Sequence, residues 1–186
     1  MTSPATAKPL RADARRNYEA LLAAGKAVFA RSGTDANLED VAKEAGVGQG
    51  TLYRHFPSRE HLFVAIMKEQ VDQLEAKAVE LVDVPDPWEA LTTWLRLYDR
   101  SASRYRGMSA RVGNGLAEDA SPMAAACAPM KTAFVQLFAR TQAEGVVRGD
   151  VTAIEVLTLV AALPEHASDG DHSGNYLDIV LRGIRK

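Results

Sequence analysis

Five of the seven residues from Gln49 to His55 have side chains that can exchange hydrogen bonds with a nucleic acid: Gln49, Thr51, Tyr53, Arg54 and His55. Gln and Arg present paired groups that match base edges, whereas Thr, Tyr and His donate singly to phosphate oxygens. A helix that is merely solvated can have the same composition. The chemistry therefore depends on whether neighbouring elements hold this face outward.

The surrounding run, LEDVAKEAGVGQGTLYRHFPSREHL over 38–62, reads as helix, three-residue turn, helix, and a third helix starting at Ser58. Asn37 caps the first helix and Asp40 puts an acid in its first turn. Leu38, Val41, Ala42 and Ala45 share one face of it. Gly46-Val47-Gly48 breaks the helix, and Gly46 allows the positive φ that a sharp turn needs. Val41, Ala45, Val47, Leu52 and Phe56 can close a small core, which leaves the polar set on Gln49–Phe56 outside. Two short helices joined this way present one helix outward, the geometry that a duplex major groove accepts.

The flanking elements are also helical. Tyr18, Leu21, Leu22, Val28 and Phe29 give a helical face from Arg11 to Arg31, and Gly33 supplies a stop. Residues 1–10, with Pro4 and Pro9, are expected to be a flexible arm; Lys8 there, with Arg11, Arg15 and Arg16 beyond it, could seek phosphate. Pro57-Ser58 caps a long helix that keeps its spacing from Leu62 to Leu81. Asp86-Pro87 opens a helix through Trp88, Leu91, Trp94, Leu95 and Tyr98. Residues 106–121 are weakly patterned. Ser121-Pro122 opens a helix that runs to Gly145, and Thr152–Glu155 is a capping box for a helix over Ile154–Leu163. His166–Gly174 reads as a polar loop before a last helix, Tyr176–Ile184. No period-2 run of useful length occurs, so the expected fold is all-α.

Composition narrows the classes. The chain has 186 residues, 47% apolar and 25% charged, which is ordinary for a globular protein with a core. No apolar run approaches a membrane span or a secretory signal, and the single cysteine, Cys127, fits a reducing compartment. A cytoplasmic protein without membrane partners is expected. Residues 1–60 carry nine Lys/Arg against seven Asp/Glu, and the remainder is acidic. No nucleophile elbow, phosphate loop, HExxH or dinucleotide fingerprint is present, so no catalytic residue and no cofactor are assigned. His166, Asp169, Asp171 and His172 read as a solvated turn and not as a metal site, and Cys127 as a small buried residue.

The residues Val41-Ala42, Ala45-Gly46-Val47, Gly50-Thr51-Leu52-Tyr53, His55-Phe56 and Ser58–Leu62 resemble the DNA-binding domain of the TetR family of bacterial transcription regulators. Ala27, Phe29 and Gly33 also match, and the resemblance covers roughly residues 11–65. It implies that Thr51, Tyr53, His55 and Arg59 contact phosphates, with Lys43 near the backbone, and that Gln49, Gly50 and Arg54 meet bases. Gly48 departs from the serine or threonine usual in the family.

The resemblance further implies an effector-binding and dimerisation domain over 66–186, after a helix-turn-helix at 37–56. Phe138–Asp150 is similar to the junction between the family's dimerisation helices. The expected homodimer seam comprises Phe134, Leu137, Phe138, Thr141, Ile154, Leu157, Thr158 and Ala161. A core within one chain is the alternative for these positions. A ligand pocket would draw on Trp88, Trp94, Tyr98, Tyr105, Met108, Met123, Met130 and His166. The implied function is a homodimeric repressor on a palindromic double-stranded DNA operator, released by a small-molecule effector of unknown class. The competing reading is an all-α protein-interaction module whose helix-turn-helix binds no DNA; it needs an apolar face on Gln49–His55.

Overall fold

The computed structural model describes residues 7–33, 35–102, 121–164 and 173–186. Among them lie eight helices and a single isolated antiparallel bridge, Val147 to Arg185. The helices are α1 (Ala7–Ser32), α2 (Leu38–Glu44), α3 (Gln49–His55), α4 (Arg59–Leu81), α5 (Pro87–Ala102), α6 (Pro122–Ala143), α7 (Ala153–Ala161) and α8 (Ser173–Ile184). The chain divides into two compact units, Met1–Ile66 and Met67–Lys186, and α4 is continuous through the division. None of the helices is long and apolar enough to cross a membrane.

In the first unit, Leu21, Val28 and Phe29 of α1 are buried with Leu38, Val41 and Ala42 of α2, Leu52 of α3, and Leu62, Phe63 and Ile66 of α4. Gly25 sets the approach of α1 to α4. A Cβ there would lie 2.7 Å from Ile66 Cδ1 and 3.4 Å from the Leu62 methyls. Ser58 caps α4, its Oγ accepting from the His61 N–H at 3.4 Å and bonding the His61 Nδ1 at 2.8 Å.

The structure corrects the N-terminal boundary. The helix begins at Ala7, so residues 7–10 are helical instead of part of a flexible arm. Pro9 is tolerated because the first-turn N–H groups have no intrahelical partner to lose.

The second unit is built on aromatic stacking between α5 and α6. Trp94 is fully buried, with its ring 4.3 Å from Phe134 and 5.3 Å from Tyr98, and its Nε1–H donates to the Leu74 carbonyl at 2.8 Å. Asp86 caps α5 by accepting from the N–H groups of Trp88 and Glu89. Ser121 caps α6, and Thr152 with Glu155 forms a full capping box on α7. That geometry holds the Glu155 carboxyl below its usual range, chiefly through the Thr152 backbone N–H. The chain end pairs with the α6–α7 connection, Lys186 N–H donating to Val146 O and Arg148 N–H to Ile184 O, both at 3.0 Å.

The expected dimer seam is corrected here. Phe134, Leu137, Phe138 and Thr141 of α6 and Leu157 and Ala161 of α7 are buried inside this one chain. Helical apolar spacing specifies that a face is covered, not which chain covers it; here α5 does. Only Ile154 and Thr158 of that set keep partial exposure.

Gly46 has φ 67°, and a Cβ added to it would meet nothing within 4 Å, so a side chain there costs only backbone strain. Gly46→Ala should lower stability by about 1 kcal/mol. Equilibrium urea unfolding checks this; an unchanged midpoint at constant slope would refute the strained turn.

Candidate nucleic-acid interface

The turn between α2 and α3 is fixed by backbone bonds. Gly46 N–H donates to Lys43 O at 3.1 Å and Val47 N–H to Ala42 O at 3.0 Å, the paired pattern of a left-handed helix terminus. The Asn37 side chain opens α2 by accepting from the Glu39 N–H at 3.0 Å. At the start of α3, Gly48 adopts the extended cap conformation (φ −72°, ψ 151°) but offers no side-chain acceptor. The departure seen in the sequence is thus a real missing cap.

α3 spans only seven residues and buries one of them, Leu52; Phe56, just past its end, is the second anchor. Tyr18 of α1 packs on this anchor, with ring centroids 5.2 Å from Phe56 and 6.0 Å from His55. Everything else on α3 is turned out. Gln49, Gly50, Tyr53 and Arg54 are exposed, and Thr51 and His55 are partly so. Tyr53, half exposed at 50%, is a large aromatic side chain left in solvent.

Two of these groups are held by partners. The Arg54 Nε donates to Gly50 O at 3.1 Å, which lays the guanidinium back along α3 over the glycine. Arg59 pairs with Asp35 at 3.5 Å. Lys43 is exposed in the last turn of α2. All eight sequence-derived DNA-contact positions therefore lie in the first unit, on α2, α3 and the start of α4. Sequence reasoning missed Tyr18 and Asp35. Tyr18 was one apolar residue among several, and the 35–59 pairing has no local signal.

The expected pocket is only partly assembled. Tyr98, Met123 and Met130 line a cavity of about 30 Å³ in the second unit. Met67, Val71 and Leu74 come to it from α4, Ser101 and Ala102 from α5, and Cys127 from α6. Trp94 belongs to the aromatic core instead, and half-buried Trp88 lies beneath the Arg185 guanidinium, 4.9 Å from its ring centre. Their size and spacing suggested a lining, but both rings are spoken for by packing. Tyr105, Met108 and His166 lie outside the described residues, as do most of 106–121 and the His166–His172 turn. Burial pushes the Cys127 thiol up to about 11. Among the described residues there is no cluster of three metal-ligating side chains.

An all-helical arrangement of the described residues, with this tight-turn helix pair in its first unit, defines a helix-turn-helix fold. Residues 21–66 match the bacterial regulatory proteins of the tetR family, and residues 86–186 match the SbtR-like transcriptional regulator C-terminal domain. This chain belongs to the TetR family of transcriptional regulators, and its relatives are regulators rather than enzymes.

Among solved structures, TetR transcriptional regulator SCO0520 of Streptomyces coelicolor is 32% identical, with a TM-score of 0.57 over 90% of this chain and 98% of that one. The TetR transcription regulatory protein of Mycobacterium vanbaalenii is 29% identical, with a TM-score of 0.52 over 96% and 100%. The HTH-type transcriptional regulator SAR0097 of Staphylococcus aureus is 36% identical over 81 residues, 42% of each chain. The HTH-type transcriptional repressor KstR of Mycolicibacterium smegmatis is 36% identical over 64 residues, 34% of this chain and 31% of that one. The matched stretches thus span less than half the length of these curated relatives.

Because nothing lies within 4 Å of a Cβ at position 48, serine fits there without displacement. Gly48→Ser should restore the cap and raise stability by about 0.3 kcal/mol, since glycine is itself a tolerable cap. Thermal unfolding checks this; a fall in stability would refute the expectation that a serine side chain caps α3.

Proposed function

We propose that this protein is a homodimeric cytoplasmic repressor that binds a palindromic operator through α3 and releases it when a small molecule enters the second unit. The observation that carries the reading is the outward face of α3. Its polar side chains are exposed or partly exposed, while Leu52 and Phe56 anchor the helix and Tyr18 packs beside Phe56 and His55. Gln49 and Arg54 read base edges, with Gly50 allowing the backbone to come close. Thr51, Tyr53 and His55 take phosphate oxygens, assisted by Lys43, and Arg59 exchanges Asp35 for phosphate. The interaction-module alternative loses support because this face is polar. The repressor mode follows the name given to the KstR relative.

Dimerisation is assigned to surfaces the single chain leaves open. Leu159 of α7 is 50% exposed, and Tyr176 and Ile179 of α8 are 46% and 58% exposed. Tyr176, Ile179 and exposed Gly183 recur at helical spacing on one face of α8. An apolar face repeated along one helix is a candidate association surface, which a second copy would cover by two-fold symmetry.

Selection of bound sequences from a random duplex pool tests the reading. Two inverted half-sites with centres about 34–36 Å apart, one helical turn, or a multiple of that, are expected. Failure to enrich any sequence would refute operator binding, and an asymmetric site would refute the dimeric mode. Tyr53→Phe combined with His55→Ala should weaken binding evenly across sequences, whereas Lys43→Ala, which removes a cation, should reduce the salt slope by about one. Arg54→Ala should instead relax preference at one base position, with about 1–3 kcal/mol less discrimination there.

Leu159→Glu with Ile179→Glu should convert the protein to a folded monomer with weakened operator affinity. Sedimentation equilibrium and helical content read the two effects separately; a persistent dimer would move the seam elsewhere.

A further inference from the structure

The cavity in the second unit contains a polar group that packing does not explain. Tyr98 is 3% exposed, and its hydroxyl is buried with no hydrogen-bond partner among the described residues. Its ring stacks on Trp94, a job that phenylalanine would do as well. Leaving a hydroxyl unpaired in an apolar surrounding is destabilising, so the oxygen needs a further reason to be there. Tyr98 lines the cavity, beside Cys127, which reinforces the burial that raises its pKa.

The rest of the wall specifies what such a reason looks like. None of the described lining side chains carries a charge, so among them an ion entering would lose its hydration without a counter-charge. Ser101, the other polar liner, spends its proton on Leu97 O at 2.9 Å. Among the described lining residues the free donor is therefore the Tyr98 O–H. Three methionines, Met67, Met123 and Met130, make up much of the remaining surface. The cavity holds about 30 Å³, room for little more than a water. A larger occupant must move side chains, and unbranched methionines are the ones that repack most readily.

We propose that this cavity takes a neutral, mainly apolar small molecule carrying one acceptor oxygen, such as a ketone or ester carbonyl. Tyr98 donates its hydroxyl proton to that oxygen, and the three methionines shift to enclose the apolar body. The proposal names the effector class and rests on reading the protein as an effector-released regulator. Carboxylates and cations are excluded from the site, and a hydrocarbon of the same shape leaves the hydroxyl unpaired and binds less well.

The test uses the full chain with its methionine methyls labelled for NMR, titrated with acetophenone, ethylbenzene and benzoate. Acetophenone should move the Met67, Met123 and Met130 resonances and bind about tenfold more tightly than ethylbenzene, the worth of one hydrogen bond to a buried donor. Benzoate should leave them unmoved. In Tyr98→Phe the ketone preference should collapse to within about twofold, and the melting temperature should stay level or rise.

Equal affinity of ketone and hydrocarbon for the native protein would overturn the proposal, as would binding of benzoate or unmoved methionine methyls. A lower melting temperature in Tyr98→Phe with the ketone preference retained would also overturn it, by making the hydroxyl structural. DNA retention is measured in parallel. Selective filling of the cavity with DNA still bound would support the ligand class and count against the effector role, so the two readings fail separately.

Discussion

The helix-turn-helix unit of this protein depends on the burial of two side chains, Leu52 and Phe56. A seven-residue helix is far below the length at which a helix holds itself together in water, so α3 exists only because tertiary contacts fix it. Those contacts must be made through one narrow stripe, because any wider apolar face would consume the surface meant for a ligand. Leu52 supplies a fully buried anchor in the middle, Phe56 a second at the end, and Tyr18 closes over the latter. The backbone bonds across Gly46 then set the direction in which the stripe points. Division of labour within a short segment explains why its polar residues can be so dense.

The second unit solves a different problem. Its helices are longer and are held by an interlocked aromatic series, Tyr98–Trp94–Phe134–Phe138, with the indole N–H satisfied by a backbone carbonyl of α4. A gap at the edge of these rings is walled by flexible sulfur-bearing side chains. Stiff packing thus borders on compliant packing within a few residues of α5. Tyr98 belongs to both, its ring in the stack and its hydroxyl in the gap.

How much of this was legible in the sequence varies with the range of the interaction. Local devices could be read directly: the Asn37 and Ser121 caps, the Thr152–Glu155 box, the positive φ at Gly46 and the outward set on α3 all follow from spacings of a few residues. Gly48 too announced its missing cap. Long-range relations could not be read. The spacing of Phe134, Leu137, Phe138 and Thr141 declares a buried face, but only the packing of α5 against it decides that the cover is internal. Trp88 and Trp94 share a helix and a residue type, yet one lies beneath Arg185 and the other sits in the core. Pro9, read as part of a flexible arm, falls in a first turn where it breaks nothing. The lone tyrosine hydroxyl at 98 has no sequence signature, because its meaning lies in the absence of a neighbour.

The single cysteine of the chain, Cys127, lies in the wall of that gap, 4% exposed and 3.7 Å from the Met123 sulfur. With its thiol pushed up to about 11 by burial, it stays protonated at neutral pH, and the thiolate that reacts with disulfide and alkylating reagents is scarce. Reaction must wait until the side chains or helices around it move aside. The protein thus carries its own built-in clock for opening of the second unit: the rate at which one sulfur becomes reactive counts excursions away from the closed core, with no label introduced and no background from other thiols.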